Sequence, residues 1–368
     1  MKKKIQLDLL LNLGSINVLN SIVPVLTLII LKGFVSNEDF SNFIVNYSTI
    51  LFSLSIFDFG FRNYFLTLSS KINLNDKEVI SADRIRFSIL LLLCILLILF
   101  IFIENRYKLL FFLPLLFKDY LFVIYKYQML GRLKKFNAQL IIYQIILILG
   151  LIATAIQNDI SYVYYGYSAG SLILIFFGFN FLPSKLNLVQ KKDFALVKII
   201  LPVSLSNIFT SLNQNLYKIL INFLIPSLLI GFEIVNKLVS VFKILINFVT
   251  EYIQVDNKKL SFKISIYSAI GIYTLSFFTF YITENIWSSY FEVAPYQVYM
   301  YSLILIPITL TSINHRVSLV LSGKLKIQLV SIICGNFFLF LSTLLLFRFI
   351  DLTNLLMISI ATEVIILL

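Results

Sequence analysis

The sequence predicts an all-α polytopic membrane protein, with twelve transmembrane helices in two six-helix lobes. Of its 368 residues, 59% are hydrophobic and only 13% are charged, against roughly 45–50% and 25% in soluble domains. Apolar runs recur along the whole sequence, each near the ~20 residues that a spanning helix needs. Lys and Arg cluster between alternate runs, as cytoplasmic loops of membrane proteins do.

Run length and periodicity place helices at about 9–31, 40–60, 87–103, 109–127, 136–156, 161–182, 196–223, 228–253, 262–283, 296–321, 327–349 and 353–368. The first follows Lys2-Lys3-Lys4 and continues past residue 28 without a small-residue cleavage site, so it reads as a retained helix and not a signal peptide. The second follows a short acidic turn. The longest connection, about 26 residues before the third helix, is too short for a soluble domain. On the fourth, Asp119 and Lys126 are seven apart and share a face, which fits an ion pair or a ligand contact equally. Trp287, with Tyr281, Tyr290 and Tyr296, reads as an aromatic belt at the outer surface. His315-Arg316 reads as an interfacial pair. Cys94 and Cys334 lie inside apolar runs without CxxC or Cys/His spacing, and read as small buried apolar residues.

Orientation follows from the basic residues. With a cytoplasmic N-terminus, the inner segments, including 62–86, 126–135 and 185–198, hold 22 Lys and Arg, and the outer segments hold four: Lys32, Arg106, Lys108 and Arg348. Both termini are then cytoplasmic. Topology accounts for the net charge of +12 without a nucleic-acid partner. A gapless offset of 190 residues sets Asn17 on Asn207, Ser21 on Ser211 and Ile44-Val45-Asn46 on Ile234-Val235-Asn236. Six helices per period imply a parallel repeat, with an N-terminal lobe at 1–182 and a C-terminal lobe at 196–368.

Polar groups inside a bilayer must face protein or water, so their helical phase locates function. The seventh helix carries Ser204, Asn207, Ser211, Asn215, Lys218 and Asn222 on one face. The eighth carries Glu233, Asn236, Lys237, Ser240, Lys243, Asn247, Thr250, Glu251 and Gln254. Two Lys and two Glu on one stripe favour a hydrated cavity over packing, because an ammonium at the bilayer centre costs at least ~2.5–3.5 kcal/mol. The milder Asn/Ser stripes of the first two helices fit a cavity or interhelical hydrogen bonds. Lys218, Lys237 and Lys243, with Asn207, Asn215, Asn236 and Asn247, are the candidate substrate-binding residues. Glu233, Glu251 and Asp58 are the candidate ion-coupling residues, for a proton or Na⁺. The sequence holds no phosphate loop, nucleophile elbow, HExxH or Cys/His set. A transporter is expected, not an enzyme, without catalytic residues, metal or cofactor.

The segment from Leu13 to Ser70, with "NLGSINVLNSIVPVLTLIIL", "SNEDF" and "FDFGFRNYF", resembles the opening helices of bacterial O-antigen and capsular polysaccharide flippases. These belong to the multidrug/oligosaccharidyl-lipid/polysaccharide exporter superfamily. Residues 198–252 resemble that family's seventh and eighth helices. The chain departs from it in lacking helices beyond the twelfth, and in Gly231-Phe232-Glu233, where the family usually has Gly-Tyr-Tyr. The resemblance implies translocation of an undecaprenyl-pyrophosphate-linked oligosaccharide to the outer leaflet of the bacterial inner membrane, by alternating access. Membrane lipids, and a polysaccharide polymerase as an open possibility, are the other implied partners. A multidrug exporter is the rival within the superfamily, but it would favour acidic and aromatic groups over these lysines. The peptidoglycan-precursor flippases usually carry two more helices. A polysaccharide polymerase or ligase would carry a large outer loop with Arg and His.

Overall fold

A computed structural model of the chain describes residues 23–61, 64–65, 77–179, 188–243, 245–246, 249–250, 262–313 and 325–367. Among these every regular element is helical. Twelve helical stretches correspond one to one with the predicted helices. They are α1 (Val23–Phe34), α2 (Asn37–Asp58), α3 (Lys77–Glu104), α4 (Tyr107–Phe112, Leu113–Leu121 and Ile124–Met129), α5 (Leu133–Gln157) and α6 (Ser161–Gly178). Then follow α7 (Phe194–Ser211, Leu212–Leu216 and Tyr217–Leu224), α8 (Pro226–Ser240), α9 (Phe262–Phe291), α10 (Pro295–Ser302 and Leu305–Ile313), α11 (Leu325–Leu346) and α12 (Leu352–Leu367). Among the described residues, α2, α3, α5, α7, α9, α10 and α11 are long and apolar enough to cross a membrane.

The hydrophobic pattern is that of a protein dissolved in lipid. On α3 the exposed side chains include Leu92, Ile95, Leu99 and Ile103, while Asp83 and Arg86 are buried. The apolar stripe recurs every three to four residues, as on any amphipathic helix, but it points outward and the charges point in. Where helices meet, small residues bring backbones together. A Cβ on Gly150 of α5 would stand 2.8 Å from the Tyr162 carbonyl oxygen and 3.1 Å from Gly166 Cα of α6.

The chain forms two compact units: Gly33–Ile219, and the residues through Lys32 together with Leu220–Leu368. In the 33–219 unit α2 ends in two left-handed residues, Phe59 and Gly60, and a Cβ on Gly60 would lie 3.1 Å from the Ser204 nitrogen of α7. In the other unit, Lys32 in the last turn of α1 pairs with Glu292 after α9 at 3.2 Å, and the Tyr290 hydroxyl donates to the Ile29 carbonyl at 2.8 Å. Two pairs of helix ends are spaced by 190 and 189 residues. α1 stops at Phe34 and α7 at Leu224, while α2 begins at Asn37 and α8 at Pro226.

Four expectations are corrected. α3 starts at Lys77, not near 87, so Arg84 and Arg86 belong to a helix and not a loop. α4 is in pieces, so Asp119 and Lys126 lose their common face and do not pair; Lys126 bonds Asp83 at 2.8 Å and Asp119 meets Lys118 at 3.0 Å. α9 continues to Phe291, which buries Trp287 between Phe280 and Tyr299. Its indole N–H donates to the Phe280 carbonyl at 3.1 Å, while Tyr281, Tyr290 and Tyr296 are exposed. Cys334 is exposed and Cys94 only half-buried, since both ride on outward-facing parts of their helices. His315-Arg316 lies outside the described residues.

Candidate functional site

In the 33–219 unit the polar stripe of α7 runs through a π-helical turn, Leu212–Leu216. Asn207, Ser211 and Asn215 are spaced by four, so on a regular helix they would drift off one line. The wider i→i+5 turn takes up an extra residue, a device found often at functional sites. Asn215, inside this turn, donates from Nδ2 to Ser211 Oγ at 3.0 Å. Asn215 and Lys218 are buried and Asn207 is half-buried.

In the other unit α8 presents buried Glu233 with half-buried Asn236 and Lys237. Lys237 stands 3.7 Å from Glu233, one turn away. The Tyr301 hydroxyl of α10 donates to Asn236 Oδ1 at 3.4 Å. Lys243 follows a turn at Val241–Phe242. Facing it from α12 is Glu363, within electrostatic range. Sequence reading missed Glu363, although it is a lone carboxylate in an apolar run, the signal used for the others. Asn247 and Glu251 lie outside the described residues.

A second polar centre, also missed, lies among α2, α3, α4 and the entry to α7. Three residues of one helical turn of α3 tie it to α4 and to the entry of α7. Asp83 takes Lys126 of α4. Arg84 grips Asp193, just before α7, through Nε at 2.9 Å and through Nη2, and Asp193 also accepts the Gln190 N–H at 2.8 Å. Arg86 bonds the Asp119 carbonyl and, at 3.3 Å, the Tyr125 hydroxyl. Asp58, at the end of α2, lies within electrostatic range of Arg86. That places this ion-coupling candidate inside a charged network rather than alone. Val79, Ala82 and Ile85 on the same turns of α3 join Phe61, Phe65, Val123, Tyr125, Leu196 and Ile200 in one core. Among the described residues no three His, Cys, Asp or Glu side chains gather as a metal site would require.

At one end of the same unit, Asn46 of α2 is buried, donates to the Tyr164 hydroxyl at 3.0 Å and accepts from Arg106 at 3.2 Å. This member of the Asn/Ser stripe therefore makes the interhelical hydrogen bonds that were one of its two readings.

No protein-family model and no curated protein matches the chain. Among solved structures it is similar to the lipid II flippase MurJ in an inward closed conformation. The two align with a TM-score of 0.67 at 16% identity, over 96% of this chain and 86% of that one. At that identity the likeness is one of fold.

Proposed function

We propose, from this flippase fold, that the chain is a multi-pass inner-membrane flippase that moves a polyprenyl-pyrophosphate-linked oligosaccharide to the outer leaflet. The finer reading, an O-antigen or capsular repeat unit on undecaprenyl pyrophosphate, comes from the sequence resemblance. One observation supports it most. A MurJ-like fold over nearly the whole chain carries intramembrane lysines and amides on α7 and α8, residue types suited to a pyrophosphate and to sugar hydroxyls. Lys218, Lys237 and Lys243 are the cations assigned to the phosphates. Asn207, Asn215, Asn236 and Asn247 are assigned to the sugar. The membrane potential favours the direction, since outward movement of one negative charge is worth about 2.3 kcal/mol per 100 mV. A proton or Na⁺ at Glu233, Glu251 or Asp58 would add to that drive.

The test is flipping in proteoliposomes of a fluorescent undecaprenyl pyrophosphate bearing one sugar. Lys218→Ala, Lys237→Ala and Lys243→Ala should each slow it, and Arg should be tolerated better than Glu, because the role is charge. If the Lys237–Glu233 pair only packs helices, the charge-swapped double Glu233→Lys/Lys237→Glu should restore activity. Wild-type flipping by the triple Ala variant would rule the assignment out. Efflux of an organic cation in place of the lipid would point to the multidrug alternative.

A further inference from the structure

α4 is interrupted between Leu121 and Ile124 with neither Pro nor Gly at the break. Phe122 lies at φ −93°, ψ 80° and Val123 at φ −114°, ψ 123°. Each carbonyl of a continuous helix receives the N–H four residues on, and at membrane depth a carbonyl that loses that donor must find another. Phe122 turns the Val123 N–H away, so the Asp119 carbonyl loses its helical donor. The Arg86 guanidinium takes its place. It also stacks 4.7 Å from the Phe57 ring centroid, 5.8 Å from that of Tyr120 and 6.0 Å from that of Tyr125. Arg86 is only 2% exposed, so solvent cannot replace it.

We infer that Arg86 is a positioning residue that holds α4 broken. The break frees Ile124–Met129 from the phase of Leu113–Leu121. Tyr125 and Val123 then pack with Leu196 and Ile200 at the entry of α7, and Lys126 reaches Asp83. α7 is the helix that carries Asn207, Asn215 and Lys218, so the guanidinium sets the seating of that stripe without touching it. The consequence for transport rests on the flippase reading; the hold on α4 does not.

The test pairs two substitutions in the full-length protein. Arg86→Lys keeps the charge but loses the fork and the stacking plane. Ile124→Pro imposes the break covalently. Ile124 opens the last piece of α4, where Pro has no N–H to lose, and a residue before Pro is held near φ −120°, ψ +120 to +160°, close to what Val123 already adopts. In proteoliposomes with the same fluorescent lipid, Arg86→Lys should slow flipping on the order of tenfold. Adding Ile124→Pro should recover most of the rate, although a proline would only worsen a general loss of stability. Wild-type flipping by Arg86→Lys, or a double no faster than the single, overturns the inference. Should the wild-type protein not move this lipid, the cargo reading fails and backbone amide exchange decides the positioning role. Exchange at Val123 should slow in Arg86→Lys as the helix closes, and return in the double. Unchanged or uniformly faster exchange overturns it.

Discussion

Replacing Asp193 by Asn would leave the shape of the α3–α7 contact almost intact and remove one charge. The Asp193 side chain is fully buried and the Arg84 side chain is 11% exposed. The aspartate accepts two bonds from the guanidinium and one from the Gln190 N–H. Removing one partner of a buried pair costs about 3–5 kcal/mol, because the other charge is left uncompensated. The partial exposure of Arg84 puts the expected loss at the lower end, about 3 kcal/mol. For a unit of this size each kcal/mol shifts the unfolding midpoint by roughly 2–4 °C, so a fall of roughly 6–12 °C is expected. A thiol-reactive dye in detergent can read it. Cys94 is half-buried on α3, ten residues from Arg84, and Cys334→Ala would silence the exposed second thiol. The double variant Arg84→Leu/Asp193→Leu should lose less than Asp193→Asn, since it strands no charge. A midpoint for Asp193→Asn within about 2 °C of wild type, or a double worse than the single, would refute the reasoning.

Three further expectations can be checked directly. Gly60 and Gly131 both have positive φ, but a Cβ would crowd Ser204 at Gly60 and meet open space at Gly131. Gly131→Ala should cost about 1–2 kcal/mol of backbone strain, and Gly60→Ala a further 1–3 kcal/mol or so from overpacking; equal midpoints would contradict this. Between α5 and α6, Asp159 accepts the Ser161 N–H at 2.9 Å, which holds its carboxyl below the usual range. It therefore stabilises the fold above its unfolded pKa of about 3.9, and that contribution disappears as pH falls through the lower folded value. Asp159→Asn should be less stable than wild type near neutrality and equal to it in strong acid; a difference that persists in acid would exclude this cause. Reporter fusions after Lys192 and after Glu292 should read cytoplasmic and external respectively, and the same side at both points would overturn the proposed orientation.

The helices were legible where lipid dictates them. Spanning length and apolar composition marked all twelve. The first ten residues of α3 were not legible, because KEVISADRIR (77–86) is half charged and reads as a loop. Its spacing did hold a signal, with Val79, Ala82 and Ile85 recurring every third residue, while each buried charge is answered by a residue far along the chain. The break in α4 leaves no local trace, because the Arg86 donor that holds it lies 33 residues from Asp119. On α7 and α8 the polar residues could be named from the sequence, but the π turn around Asn215 and the carboxylate facing Lys243 from α12 depend on tertiary packing.

The division of the chain also sets an order of assembly during synthesis. The 33–219 unit is one continuous stretch, so its helices can close on one another as soon as α7 has been made. α1 belongs with residues beyond 219, and its contacts through Ile29 and Lys32 span 261 and 260 residues. Pairings so distant form late, because the intervening chain must be ordered first. Of the described helices α1 is therefore the first made and among the last to find its neighbours, and until α9 arrives the face that carries Ile29 and Lys32 has only lipid or an insertion factor to lean on.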